Sequence, residues 1–82
     1  MDNKVNSITI EKYQGGFIIK YKGKNVWKQE NPTIWELVEE PCQIYTSEEF
    51  AKNEVRSLKM YITREYNGNY EEWEDKWKEL KN

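Results

Sequence analysis

Polar and apolar residues alternate along "SITIEKYQGGFIIKYKG", residues 7–23, where Ile8 and Ile10 stand two apart and Phe17, Ile19 and Tyr21 repeat the spacing. A period of two marks a half-buried strand, and Gly15 and Gly16 between the runs accept the positive φ angles of a tight turn. With those glycines as the turn, Lys12 faces Ile19, Ile10 faces Tyr21 and Glu11 pairs with Lys20. Ile8, Ile10, Phe17, Ile19 and Tyr21 then share one face, and Thr9, Glu11, Tyr13, Ile18, Lys20 and Lys22 the other. "GKN" at 23–25 is a second turn signal and "VWKQ" a third strand, so the predicted sheet spans residues 5–30. The loop length does not fix which face Trp27 takes.

The pattern then changes. In "NPTIWELVEEP", Asn31 reads as an N-cap, Pro32 as the first helical position and Pro41 as a stop, which predicts a short helical connection over 32–40 anchored by Trp35 and Val38. "CQIYT" at 42–46 is a possible strand with Ile44 and Tyr45 on opposite faces. From residue 47 the period becomes helical: Ala51, Val55, Leu58 and Ile62 form a stripe widened by Phe50, Tyr61 and Tyr66. Thr46 with Glu49 makes a capping box and Gly68 a stop, giving a helix over 47–66. Asn69 caps a last helix over 70–81, with Glu72 at its third position and Tyr70, Trp73, Trp77 and Leu80 along one stripe. Glu72 with Lys76 and Glu74 with Lys78 are helical pairs. The expected fold is α+β: a three- to four-stranded antiparallel sheet packed against one long helix, with a second, C-terminal amphipathic helix.

At 82 residues the chain is one domain, residues 1–82, in which only about 60 to 65% of the unfolded surface is buried, so each large aromatic counts. A charged share of 34% with an aromatic share of 15% separates it from acidic disordered segments, which are poor in aromatics. The net charge of −2 conceals an uneven layout. Residues 1–30 carry six lysines against three acids, whereas residues 31–50 carry Glu36, Glu39, Glu40, Glu48 and Glu49 and no base. A basic hairpin is thus followed by an acidic connection. Lys52, Arg56 and Lys59 lie together on a flank of the long helix.

No histidine is present, which removes the commonest general base, the commonest metal ligand and every imidazole-dependent triad. Cys42 is the only cysteine, too few for a thiolate zinc site or an internal disulfide. It reads as a small buried hydrophobe and suits a reducing, cytoplasmic compartment. No phosphate-binding glycine loop or calcium-loop spacing occurs, and adjacent carboxylates such as Glu39 with Glu40, or Glu71 with Glu72, splay apart on a helix. The expectation is a protein that is not an enzyme, with no catalytic residues, metal or cofactor. "MDNKVNSITI" has no signal-peptide core and no stretch is long and apolar enough to span a bilayer, so no membrane role is expected.

Two surfaces remain as candidates. The Trp73 and Trp77 stripe reads first as a second cover over the thin core of a one-sided sheet; if the last helix instead swings outward about Gly68, the two tryptophans join Glu36, Glu39 and Glu40 to bind a host protein or complete a homodimer. Lys20, Lys22, Lys24 and Lys28 would instead lay a lysine-bearing sheet face on nucleic acid. Over residues 5–66 the order of a three-stranded antiparallel sheet and one long helix resembles AP2-type and integrase-arm DNA-binding domains, which implies DNA binding through those lysines. Those domains carry arginines on the sheet, where this chain has none. In size, acidity and absence of a catalytic set, with a composition matching AT-rich coding, the chain resembles accessory proteins of phages and mobile elements, including anti-CRISPR and other anti-defence inhibitors. That likeness implies docking on a host protein, nucleic-acid-binding effectors included, by steric occlusion or charge mimicry.

Overall fold

The computed structural model describes residues 7–81, with side chains described through Trp77; residues 5 and 6 of the predicted sheet, and the side chains of Lys78 and Leu80, lie outside the described residues. Four strands, β1 (Ile8–Tyr13), β2 (Gly16–Tyr21), β3 (Lys24–Gln29) and β4 (Ile34–Val38), form an antiparallel sheet in chain order, followed by helices α1 (Glu48–Tyr66) and α2 (Tyr70–Lys81). The fold is therefore α+β with a four-stranded sheet and two helices.

The first turn is Gln14–Gly15, not Gly15–Gly16. Both residues have positive φ, 46° and 81°, as a two-residue primed turn requires, and Lys22–Gly23 repeats the arrangement at 51° and 83°. The β1–β2 register accordingly moves by two residues: Ile10 faces Ile19, Lys12 faces Phe17 and Ile8 faces Tyr21. A shift of two leaves every side chain on its predicted face. Glu11 and Lys20, predicted to be directly opposite, meet diagonally at 3.6 Å. Gly16 is spared for another task, because a Cβ on it would sit 2.5 Å from Ile44 Cγ2 and 2.7 Å from the Tyr45 carbonyl oxygen.

That close approach belongs to a wedge. The β2–β3 ladder pairs only Lys20 with Asn25 and Tyr21 with Lys24, after which the strands part. Continued, that register would set Phe17 against Lys28. Instead Phe17 exchanges backbone hydrogen bonds with Tyr45 at 2.8 and 2.7 Å, and the Lys28 N–H donates to Gln43 Oε1 at 2.8 Å. The possible strand 42–46 is thus a single bridge at Tyr45, with Tyr45 buried and Ile44 exposed on opposite sides as its alternation predicts.

The helical connection expected over 32–40 is also corrected, since residues 34–38 are strand β4, in register with β3 along its whole length. "IWELV" carries β-branched ends and buries Trp35 and Leu37 at a spacing of two, so burial on a pleated sheet overrides the proline signals. Asn31, with φ of 53°, and Pro32 make the reverse turn into β4 instead of a helix start.

Both helices cover the same sheet face. Helix α1 is capped by Ser47, one residue beyond the expected Thr46, whose side chain accepts the Phe50 N–H at 3.1 Å. It ends where Asn67 turns left-handed and the Gly68 N–H reaches the Ile62 carbonyl at 3.1 Å. Asn69 Oδ1 accepts the Glu72 N–H at 3.0 Å, starting α2 as the sequence predicts. Ala51, Leu58, Ile62 and Trp73 meet Ile19, Tyr21, Val26, Trp35 and Leu37 in one core, with Tyr45, Tyr61 and Tyr70 at its margins. Trp73 is 0% exposed, its indole N–H donates to the Trp35 carbonyl at 2.8 Å, and its ring meets Tyr21 edge-on at 5.5 Å. Lys22 Nζ fastens the second turn to α2 through Glu74 at 3.2 Å.

Two expectations follow. Ending the chain at Gly68, or replacing Trp73 by alanine, is expected to lower unfolding free energy by about 3–5 kcal/mol or abolish folding, read by urea titration. Gly16→Ala is expected to cost about 1–3 kcal/mol through overpacking against Ile44 and Tyr45, whereas Gly15→Asn should cost less, since its φ of +81° strains a side chain but the space around it is open and asparagine tolerates the left-handed region.

Candidate functional site

The five residues predicted to bind protein do not come together. Trp73 lies in the core, and Trp77 packs half-buried against it with its indole nitrogen enclosed, so neither offers a docking stripe. The reason is the thinness of a one-sided sheet: α1 alone leaves Tyr21 and Trp35 uncovered, and the aromatic face of α2 covers them. Glu36 sits on the opposite sheet face, directly across from Trp27, while Glu39 and Glu40 are exposed in the connection beyond β4.

The four lysines are dispersed as well. Only Lys20 stands on the helix-free face, and it pairs with Glu11. Lys22 leaves that face for Glu74 on α2. Lys24 and Lys28 fall on the helix side of the sheet, as their alternation with Asn25 and Trp27 dictates. Lys28 contacts Glu54 at 3.2 Å and Glu30 at 3.7 Å and lies 5.5 Å over the Trp35 ring. Lys22 and Lys28 tie sheet to helix, and no lysine-bearing platform results.

What the structure does bring together is the connection between β4 and α1. Asn25 Nδ2 donates to the Glu39 carbonyl at 2.9 Å, and the Gln43 and Tyr45 contacts of the wedge hold the far end. Tyr45 is buried with its hydroxyl enclosed and without a hydrogen-bond partner among the described residues. Burial chiefly, and then Glu54 and Glu30, push its phenol well above the ordinary range. Phe50 stacks edge-on against Tyr45 at 5.2 Å yet remains 46% exposed, and Ile44 on the other side of the bridge is 44% exposed. Glu39, Glu40, Glu48 and Glu49 are exposed along the same segment. The segment thus presents two large apolar side chains among carboxylates, on a backbone fixed at both ends. Cys42, expected to be buried, is exposed here, its thiol donating to the Glu40 carbonyl at 3.3 Å. Alternation about Tyr45 turns it outward.

Sequence reasoning missed Ile44 and Phe50 as surface residues. The odd–even pattern did place Ile44 opposite Tyr45, but Phe50 was absorbed into the α1 stripe, and only the wedge geometry sets it outside. It also left Trp27 open: that ring is half-buried on the helix-free face, where Ile18 is only 3% exposed without joining the main core.

Among the described residues no group of three or more carboxylates and cysteine could hold a metal ion, and no helix is long and apolar enough to cross a membrane. Compared with known protein families, curated proteins and solved structures, the chain matches none.

Tyr61, at the buried margin beside Trp35, has its phenol pushed up to about 12, mainly by burial and then by Tyr66 and Glu65. A phenol held protonated by the fold stabilises it fully below the unfolded value of 10.0 and ceases to do so as pH rises to about 12. Unfolding free energy is therefore expected to decline across that window, and to decline less steeply in Tyr61→Phe, as measured by urea titrations at successive alkaline pH values. Tyr45→Phe is expected to change stability at neutral pH by less than about 1 kcal/mol, because the lost hydroxyl is buried without a partner.

Proposed function

We propose that the chain is a non-enzymatic binding protein that docks through its 39–50 connection on a basic surface of a host protein and occludes it, in the manner of small phage or mobile-element inhibitors. The observation that carries this reading is the exposure of Ile44 and Phe50 within a stretch of four glutamates and no base. Apolar anchors rimmed by charge of one sign suit a partner of opposite charge, with the anchors supplying affinity and the carboxylates steering and orientation. A groove built to bind nucleic acid is such a partner, since carboxylates spaced along a fixed segment stand in for phosphates. Fixing the segment by Asn25, Gln43 and Tyr45 keeps the ordering cost of binding low.

A host protein retained by the immobilised chain is expected to be lost when Glu39→Lys and Glu40→Lys are combined with Phe50→Ala, with melting temperature shifted by no more than a few degrees. Retention unchanged by all three substitutions would remove the assignment. Lys20→Ala is expected to leave retention intact, because that residue lies on the helix-free face of the sheet.

A further inference from the structure

We infer that the edge of β1 is a second docking site, separate from the acidic connection, and that its ligand is an extended acidic segment of a partner protein that adds to the sheet as a fifth strand. The two edges of the sheet are treated differently. On β4 the Trp35 carbonyl is taken by the Trp73 indole, so α2 already occupies that edge at Trp35. On β1 the Tyr13–Gly16 pair closes the turn and Lys22 N–H donates to the Ser7 carbonyl, which fixes Thr9, Glu11 and Tyr13 as the residues bonded to β2. The N–H and C=O groups of Ile8, Ile10 and Lys12 point the other way, off the sheet edge.

The side chains of those three residues face the helices. Between Ile10 and α1 runs a groove of about 280 Å³ lined by Ile10, Lys52, Val55, Arg56 and Lys59. Its floor is apolar and its rim carries three cations, none of which forms an ion pair among the described residues. Lys20, Lys22 and Lys28, by contrast, are each matched to an acid. A strand laid against β1 sends every second side chain to the helix side, over Ile10 and under that rim. Alternate carboxylates would meet Lys52, Arg56 and Lys59, and the backbone would meet Ile8, Ile10 and Lys12.

A second copy of this chain fits poorly. Its own β1 would bring Lys12 to the cationic rim, and its acidic connection is interrupted by Pro41, which has no N–H to give. Duplex nucleic acid would use the cations but neither the apolar floor nor the strand edge, and would meet a protein of net charge −2.

The test uses the full chain and a synthetic peptide alternating glutamate with valine, followed by amide-resolved NMR and hydrogen exchange. The expected result is slowed exchange at Ile8, Ile10 and Lys12, shifts at Val55, and affinity that falls with salt. Affinity should also fall by at least about tenfold in the combined Lys52→Gln, Arg56→Gln, Lys59→Gln variant. A peptide alternating lysine with valine, and a glutamate peptide with a central proline, should each bind far more weakly. These two comparisons use the unaltered chain and decide the matter even if the triple variant fails to fold. Equal binding of the lysine peptide, no slowed exchange at the three amides, stronger perturbation of the same residues by duplex DNA, or concentration-dependent pairing of the chain through β1 would each overturn the inference.

Discussion

The wedge at Tyr45 is the constraint on which the rest of the arrangement rests. Two strands that begin paired at Lys22–Gly23 are held apart further on by one residue that gives Phe17 both of its backbone partners. Gly16 must then lack a side chain, the turn must use Gln14–Gly15, and the register of the first hairpin follows from that choice. The same residue fixes where the chain leaves the sheet. Ser47 caps α1 two positions later, so the helix starts against Tyr45 and runs back over the core. The acidic connection is stretched between two anchored ends, with Cys42 and Ile44 turned to solvent.

The second demand comes from size. A side chain as large as Trp73 buries on the order of 150–250 Å², a gross gain of roughly 4–6 kcal/mol, against a net stability for a domain of this length of roughly 4–12 kcal/mol. No small α+β domain can leave such a residue idle, and α2 closes over Tyr21 and Trp35 instead of reaching outward. Charge obeys the same economy. Lys22 joins the second turn to α2, and Lys28 joins β3 to Glu54 of α1, so the cations that alternate along the hairpin hold the two layers in alignment. Each such pair adds little energy where it is exposed, but its geometry opposes sliding of helix on sheet.

Local periodicity made most of this legible. The faces of β1 and β2, the buried stripe of α1 and the Asn69 cap are properties of spacing and side-chain chemistry within a few residues, and they appear as the sequence implies. What local reading misjudged depended on distant residues. Pro32 and Pro41 bracket "TIWELV" like a helix, and only the β3 edge waiting beside it makes it a strand. The double glycine suggested its own turn because Ile44 and Tyr45, which claim Gly16, lie some thirty positions on. For the candidate sites the limit was sharper. Acidic residues 36–49 could be counted, but the exposure of Ile44 and Phe50, the burial of Trp73 and the groove between Ile10 and Lys52, Arg56 and Lys59 are facts of packing.

Filling the gap between β2 and β3 with residues from beyond β4 also governs how the molecule assembles. A meander of neighbouring hairpins ordinarily consists of local pairings that zip in sequence, with little loop entropy to overcome. Here residues 8–38 leave an unpaired cleft at Phe17 and Lys28 that closes only when Gln43 and Tyr45 arrive. The sheet is therefore not an autonomous half to which helices are later added. Strands, wedge and both helices form a single cooperative unit, and a nascent chain that has emerged only as far as Val38 holds an incomplete sheet.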